Sequence, residues 1–246
     1  MRIAILVASE EKSDVLKQYP NRGEKIAALF GPIRSDWSFE ARDVVEHDWP
    51  GVDEYDAFVV TGSPHSVRDD EAWIERLHGF LRALDRDRAP FLGICFGHQC
   101  WARALGGEVA ANPNGTIIGV QEVEFEREVW MDPWPLDLNG RLALYSAHSE
   151  QVRRTPPGTR AIARAPGCPI AAMRTGDHAL TVEYHPEIYR DFSVAQIRSM
   201  ASSLDEDTVR HALSDAERET HGPLFGKWAA RFLERAAEAR RAKAAA

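Results

Sequence analysis

Three short stretches of this 246-residue chain carry side chains suited to covalent catalysis, and the first is Phe91-Leu92-Gly93-Ile94-Cys95-Phe96-Gly97-His98-Gln99. Its Gly-Ile-Cys-Phe-Gly core sets a cysteine between two glycines where an apolar strand gives way to a helix. That is the setting of a nucleophile elbow, with cysteine in place of serine. A sharp turn forces the nucleophile into a strained backbone conformation, and flanking side chains would collide with the neighbouring strand and helix. The positive end of the helix dipole favours the thiolate, so a lowered thiol pKa is expected for Cys95. The N–H of Phe96 points to where an oxyanion would form. Taken alone, the stretch also fits a buried structural cysteine at a strand end.

The second stretch, Thr181-Val182-Glu183-Tyr184-His185-Pro186-Glu187, reads as a strand ending in His-Pro-Glu. Pro186 keeps His185 out of the helical region, and residues two apart on an extended chain face the same way. Glu187 can then reach the imidazole of His185, fix its tautomer and stabilise the imidazolium. A His beside a Glu is also a common surface pair. The third stretch, Gly62-Ser63-Pro64-His65-Ser66-Val67, is a small-residue turn after an apolar run. In α/β sheets, sites lie at such strand ends, and this turn has a second backbone N–H to offer an oxyanion. Alone, it is simply a turn.

These residues need a scaffold of alternating strands and helices. Strands are expected at Arg2–Val7, Trp37–Val45, Tyr55–Thr61 and Pro90–Ile94, with helices near Arg22–Phe30, Glu71–Asp85 and His98–Leu105. The middle section predicts short strands at Ile117–Glu126, Arg141–Tyr145, Arg160–Ala165, Ile170–Arg174 and Ala179–Tyr184. Helices follow at Phe192–Leu204, Glu206–Glu219 and from Pro223 to about Lys243, with a frayed tail over Arg240–Ala246. The pattern predicts an α/β fold with a mainly parallel central sheet flanked by helices. It divides into an α/β domain over 1–190 and a helical C-terminal extension over 191–246, packed on that domain.

Composition narrows the function classes. Hydrophobic residues make up 44% and charged residues 28%, which excludes wholesale disorder. No run of about 18 apolar residues is present, so no membrane partner is expected. The formal charge of −8 argues against nucleic acid as a primary partner. Three cysteines, Cys95, Cys100 and Cys168, and no signal-like N-terminus point to a reducing cytoplasm. Cys95 and Cys100 are not spaced as a metal or dithiol pair, and Cys100 is expected on the buried face of its helix. No metal or cofactor is expected. His47, His78, His178, His211 and His221 are expected at the surface or as caps. Trp130 and Trp134 are candidates for a lid or partner surface. Arg240–Lys243 is expected to be a solvated helix end.

Gly-Ile-Cys-Phe-Gly-His-Gln, followed about 90 residues later by His-Pro-Glu, resembles the class I glutamine amidotransferases, in particular the glutaminase domain of GMP synthetase and its stand-alone relatives. Thr61-Gly62-Ser63-Pro64 looks like that family's Gly-Gly-Pro oxyanion loop, and Ser146-Ala147-His148-Ser149-Glu150-Gln151-Val152 like its Ser-His-Gly-Asp-x-Val pocket loop. The resemblance spans roughly residues 2–190. It implies a flavodoxin-like fold and hydrolysis of the γ-amide of glutamine or a γ-glutamyl compound through a thioester on Cys95, with His185 and Glu187 completing a triad. It also implies an oxyanion hole from the N–H groups of Ser63 and Phe96, and substrate binding by Gly62, Gln99, Ala147, His148 and Ser149. Ser63 departs from the second glycine of the loop, Ala147 and Ser149 from serine and glycine, and Glu183 from the glutamine or similar neutral residue usual there. Nothing after about residue 190 matches an ATP-pyrophosphatase domain, so the acceptor stays open: a partner synthase subunit or water. A non-catalytic binding module on the same fold is the alternative of a different class. An α/β-hydrolase shares the elbow, but its acid normally precedes the histidine in the chain.

Overall fold

The computed structural model describes residues 1–9, 11–46, 48–126 and 138–245. His47, Trp130 and Trp134 lie outside them. A nine-stranded sheet runs in the order β2-β1-β3-β4-β11-β10-β9-β6-β7. Its first five strands, β2 (Ser38–Asp43), β1 (Arg2–Val7), β3 (Ala57–Val60), β4 (Phe91–Ile94) and β11 (Ala179–Val182), are parallel. The other four, β10 (Cys168–Thr175), β9 (Thr159–Ala165), β6 (Ile117–Phe125) and β7 (Arg141–His148), extend it in antiparallel fashion. The sheet is therefore mixed, with its parallel half carrying the elbow. A separate ribbon pairs β5 (Glu108–Ala111) with β8 (Glu150–Arg154).

The parallel strands are apolar throughout because both faces are covered. On β1, Ile3 and Ile5 face one core while Ala4 and Leu6 face the other, following the two-residue side-chain period. The first core is closed by α1 (Arg22–Phe30) and α6 (Gly222–Ala244), through Ile26, Phe30, Phe225, Trp228 and Phe232. The second is closed by α2 (Ala72–Arg86) and α3 (Phe96–Ala104), through Leu77, Leu81, Leu84, Cys100 and Trp101. Cys100 is fully buried on α3, as expected. A capping box between Asn21 and Glu24 sets the start of α1, where a side-chain oxygen satisfies an otherwise free helical N–H. Helices α4 (Arg190–Met200) and α5 (Glu206–Asp215) cover the antiparallel strands, with Phe192, Ile197 and Ala212 packed against Val120 and Tyr145.

Several expectations change. α3 begins two residues before His98, directly after Cys95. His78 and His178 are buried rather than superficial, and His178 Nε2 lies 3.0 Å from Asp85. His211 is exposed, while His221 sits at the start of α6 and accepts the Ala143 N–H at 2.8 Å through Nδ1. The end of α6 is tied down: Arg240 bonds Asp53 at 3.1 Å and Arg241 bonds Asp56 at 3.3 Å. α6 also reaches the His-Pro-Glu segment, because a Cβ on Gly222 would stand 2.3 Å from the Pro186 carbonyl oxygen. Among the described residues, no helix is long and apolar enough to cross a membrane.

Candidate active site

The site lies at the C-terminal ends of β3, β4 and β11, where parallel sheets place ligands. Cys95 has φ 50° and ψ −104°, one of three non-glycine residues at positive φ among those described. This is the strained elbow that the glycines foretold. A Cβ on Gly93 would meet the Gly97 carbonyl oxygen at 2.7 Å, and one on Gly97 would meet that of Val60 at 2.5 Å. Both positions exclude any larger residue, because β3, β4 and α3 meet there at backbone contact distance. The Cys95 N–H is anchored on the Val182 carbonyl at 2.8 Å.

His185 follows β11, and its N–H bonds the Tyr145 carbonyl at 2.8 Å. Its Nδ1 lies 2.8 Å from Glu187 Oε1, the i, i+2 pairing expected of the extended segment. Both side chains are buried. Gly62 fills the space between histidine and cysteine: a Cβ there would stand 2.8 Å from His185 Cε1 and 3.6 Å from Cys95 Cβ. The three segments thus converge on one point, although Cys95 and His185 share no hydrogen bond in this resting geometry. Lys25 lies behind Glu187, its Nζ bonded to the Pro20 carbonyl at 2.6 Å and set 3.8 Å above the Phe192 ring. Burial lowers its pKa to about 8, Arg22 adds to that, and the Glu187 charge opposes it.

The thiol departs from the sequence-based expectation. Burial pushes its pKa well up, and negative charge on Glu183 or Glu187 would act in the same direction. The Phe96 N–H works the other way, but weakly by comparison. The Cys95 side chain is therefore a neutral thiol, because desolvation outweighs the helix terminus.

A cavity of about 240 Å³ opens beside Cys95, lined among others by Ser63, Gln99, Ala147, His148 and Ser149. Ser63 fits without strain: its φ is not positive, and its hydroxyl donates to the Ala8 carbonyl at 2.9 Å. Both Gln99 N–H donors are taken, by the Glu150 carbonyl at 3.0 Å and Glu183 Oε1 at 2.8 Å. Only its carbonyl oxygen is left for a ligand. His148 contacts the Glu150 carbonyl through Nδ1 at 2.8 Å and stands edge-on to Tyr184, so it braces the wall as well as lining it.

Pro64, His65, Ser66, Thr116, Glu150 and Met200 complete the lining; Thr116 and Met200 went unread in the sequence, and the others fall in its two loops without a role assigned to them. Glu150 accepts from Ser66 at 2.8 Å and pairs with Arg68. Among the described residues, His65, Asp69 and Glu71 alone gather possible metal ligands, and each is already bonded within the loop. A larger groove of about 590 Å³, between α1 and α6, is lined by neither cysteine nor carboxylate.

Residues 34–193 match the family model of glutamine amidotransferase class-I, and the chain belongs to that family of hydrolytic enzymes. Among its relatives is gamma-glutamyl peptidase 3 of Arabidopsis thaliana, 27% identical over 197 residues that cover 77% of this chain and 78% of the relative. A GMP synthase (glutamine-hydrolyzing) of Aeropyrum pernix is 37% identical over 133 residues, covering 53% of this chain and 24% of the synthase. A glutamine amidotransferase crystal structure from Thermotoga maritima shares the fold, with a TM-score of 0.73 at 21% identity over 96% of this chain and 98% of that one.

Proposed function

We propose that the protein hydrolyses a γ-glutamyl amide bond through Cys95, His185 and Glu187. The carrying observation is convergence: a strained cysteine at a strand–helix turn and a Glu187-bonded imidazole meet across Gly62, beside an open cavity. His185 Nε2 takes the thiol proton as the sulfur bonds to the γ-carbonyl carbon. The N–H groups of Phe96 and Ser63 hold the oxyanion, where one lost donor costs about 3 kcal/mol of barrier. His185 then protonates the departing nitrogen as the C–N bond breaks, leaving a γ-glutamyl thioester on Cys95. Water, deprotonated by His185, cleaves the thioester and restores the thiol. Gly62, the Gln99 carbonyl oxygen, Ala147, His148 and Ser149 form the substrate wall.

Two leaving groups fit this chemistry. A γ-glutamyl peptidase releases an amine and needs no partner; an amidotransferase subunit passes ammonia to an acceptor enzyme. The longer match, 77% of this chain to gamma-glutamyl peptidase 3 against 53% to the GMP synthase, favours the first. We take its setting to be the cytoplasm, and the chain to comprise a catalytic domain over 1–190 with a helical extension over 191–246. The test assays the purified chain against glutamine and a panel of γ-glutamyl peptides. Amine release from a peptide without any added protein is expected, and Cys95→Ala should abolish it while keeping the native circular dichroism spectrum. Unchanged turnover in that variant would reject the scheme. Silence until an acceptor enzyme is added would favour the subunit reading.

A further inference from the structure

The triad does not use the most deeply buried carboxyl at the site. Glu183 is fully buried one residue beyond β11. The β4–β11 register pairs Ile94 with Val182, which sets Glu183 level with Cys95 on the adjoining strand. Its Oε1 accepts the Gln99 Nε2–H at 2.8 Å, while Oε2 has no hydrogen-bond partner and lies 3.7 Å from His98 Nε2, which has none either. The Cys95 thiol, a possible donor to this carboxyl, favours its ionised form, but burial is the larger effect.

The titratable groups around it are Cys95 and His98 from the elbow and α3, Cys168 from β10, Glu150 from β8, and the adjoining Tyr184. No cation stands among them. His98 is buried and neutral, its pKa held at about 3. Among the described residues, neither lysine nor arginine forms an ion pair with Glu183. A buried carboxylate without a countercharge is costly, so such a group keeps its proton. Burial accordingly drives Glu183 well above the usual carboxylate range. With Oε1 committed as an acceptor, the proton resides on Oε2.

We propose that Glu183 is a neutral carboxylic acid that presents its Oε2–H to the Cys95 sulfur as the thiolate forms. It is a positioning residue: it steadies the nucleophile and, through Oε1, fixes the flip of the Gln99 amide, with no contact to substrate. His185 removes the thiol proton and Glu183 keeps its own throughout. This role rests on Cys95 being the nucleophile.

Two measurements on the full chain test it. The infrared carbonyl band of a protonated carboxyl is followed at neutral pH in Cys95→Ala and in Cys95→Ala/Glu183→Gln, which needs no turnover. The band is expected in the first and absent from the second; its absence from both would overturn the proposal. The pH dependence of Cys95 alkylation by iodoacetamide is then compared among the parent protein, Glu183→Gln and Glu183→Leu. Glutamine retains a donor and should keep the parent midpoint. Leucine should raise the midpoint by about one pH unit or more, slowing alkylation near neutrality about tenfold. Equal midpoints in Glu183→Leu and the parent would overturn the proposal, whereas a Cys95→Ala variant that still turns over would sink the catalytic scheme.

Discussion

At the scale of residues, the site contains a thiol that its surroundings keep protonated. Burial raises the Cys95 pKa more than the helix start lowers it. In the proposed scheme catalysis then depends on a correctly oriented base, which the 2.8 Å contact from His185 Nδ1 to Glu187 would provide. Glu187→Gln preserves the shape but removes the charge that steadies the imidazolium. Its kcat should fall by about a hundredfold to ten-thousandfold, with little change in KM. Steady-state kinetics on a γ-glutamyl substrate decide the matter, and a kcat within twofold of the parent would remove Glu187 from the scheme. The geometry around Cys95 and between His185 and Glu187 was legible in sequence because each relation is local: an elbow needs its glycines, and an i, i+2 pair needs only an extended chain. Glu183 stood out as an unusual residue, but its place level with Cys95 arises from two strands far apart in sequence.

Elements were legible where local chemistry decides them. α1 spans Arg22–Phe30, as expected, because Asn21 and Glu24 cap it. β5 and β8 were missed because neither Glu108–Ala111 nor Glu150–Arg154 holds an apolar alternation long enough to declare a strand; each exists by pairing with the other. The antiparallel half of the sheet was read as strands without their order, since order depends on long-range packing. Burial of polar groups between elements was equally hidden, and it has a consequence for stability. His98, fixed between α3 and β11 with Nδ1 2.8 Å from Thr181 Oγ1, has its pKa lowered to about 3, and His148 to about 4, both by burial. The unfolded chain takes up protons near pH 6.5 that the native fold refuses, so stability is full above that value and is lost as pH falls towards 4. Each histidine withdraws on the order of 2 kcal/mol by about pH 5. Denaturant unfolding across this range should show about one proton fewer taken up per molecule in His98→Asn than in the parent near pH 5.5. An identical slope in both proteins would contradict a buried neutral His98.

At the scale of the molecule, sheet order makes the site. Placing β11 between β4 and β10 brings His185 and Glu183 beside Cys95, although about 90 residues separate them in the chain. The C-terminal helices belong to the same packing. α6 fills one core with Phe225, Trp228 and Phe232, joins the turn after α1 through the paired Arg34 and Glu234, and abuts Pro186 at Gly222. The sequence foretold these helices but not that α6 would support the segment carrying the base. Under the proposed function this arrangement presents a sulfur poised to accept a γ-glutamyl group. Intact mass analysis after exposure to a diazo-ketone glutamine analogue measures that directly. The account predicts one adduct per chain, mapping to the peptide that contains Cys95, absent in Cys95→Ser and accompanied by loss of hydrolysis. An unmodified Cys95 in a protein still able to release amine would contradict it.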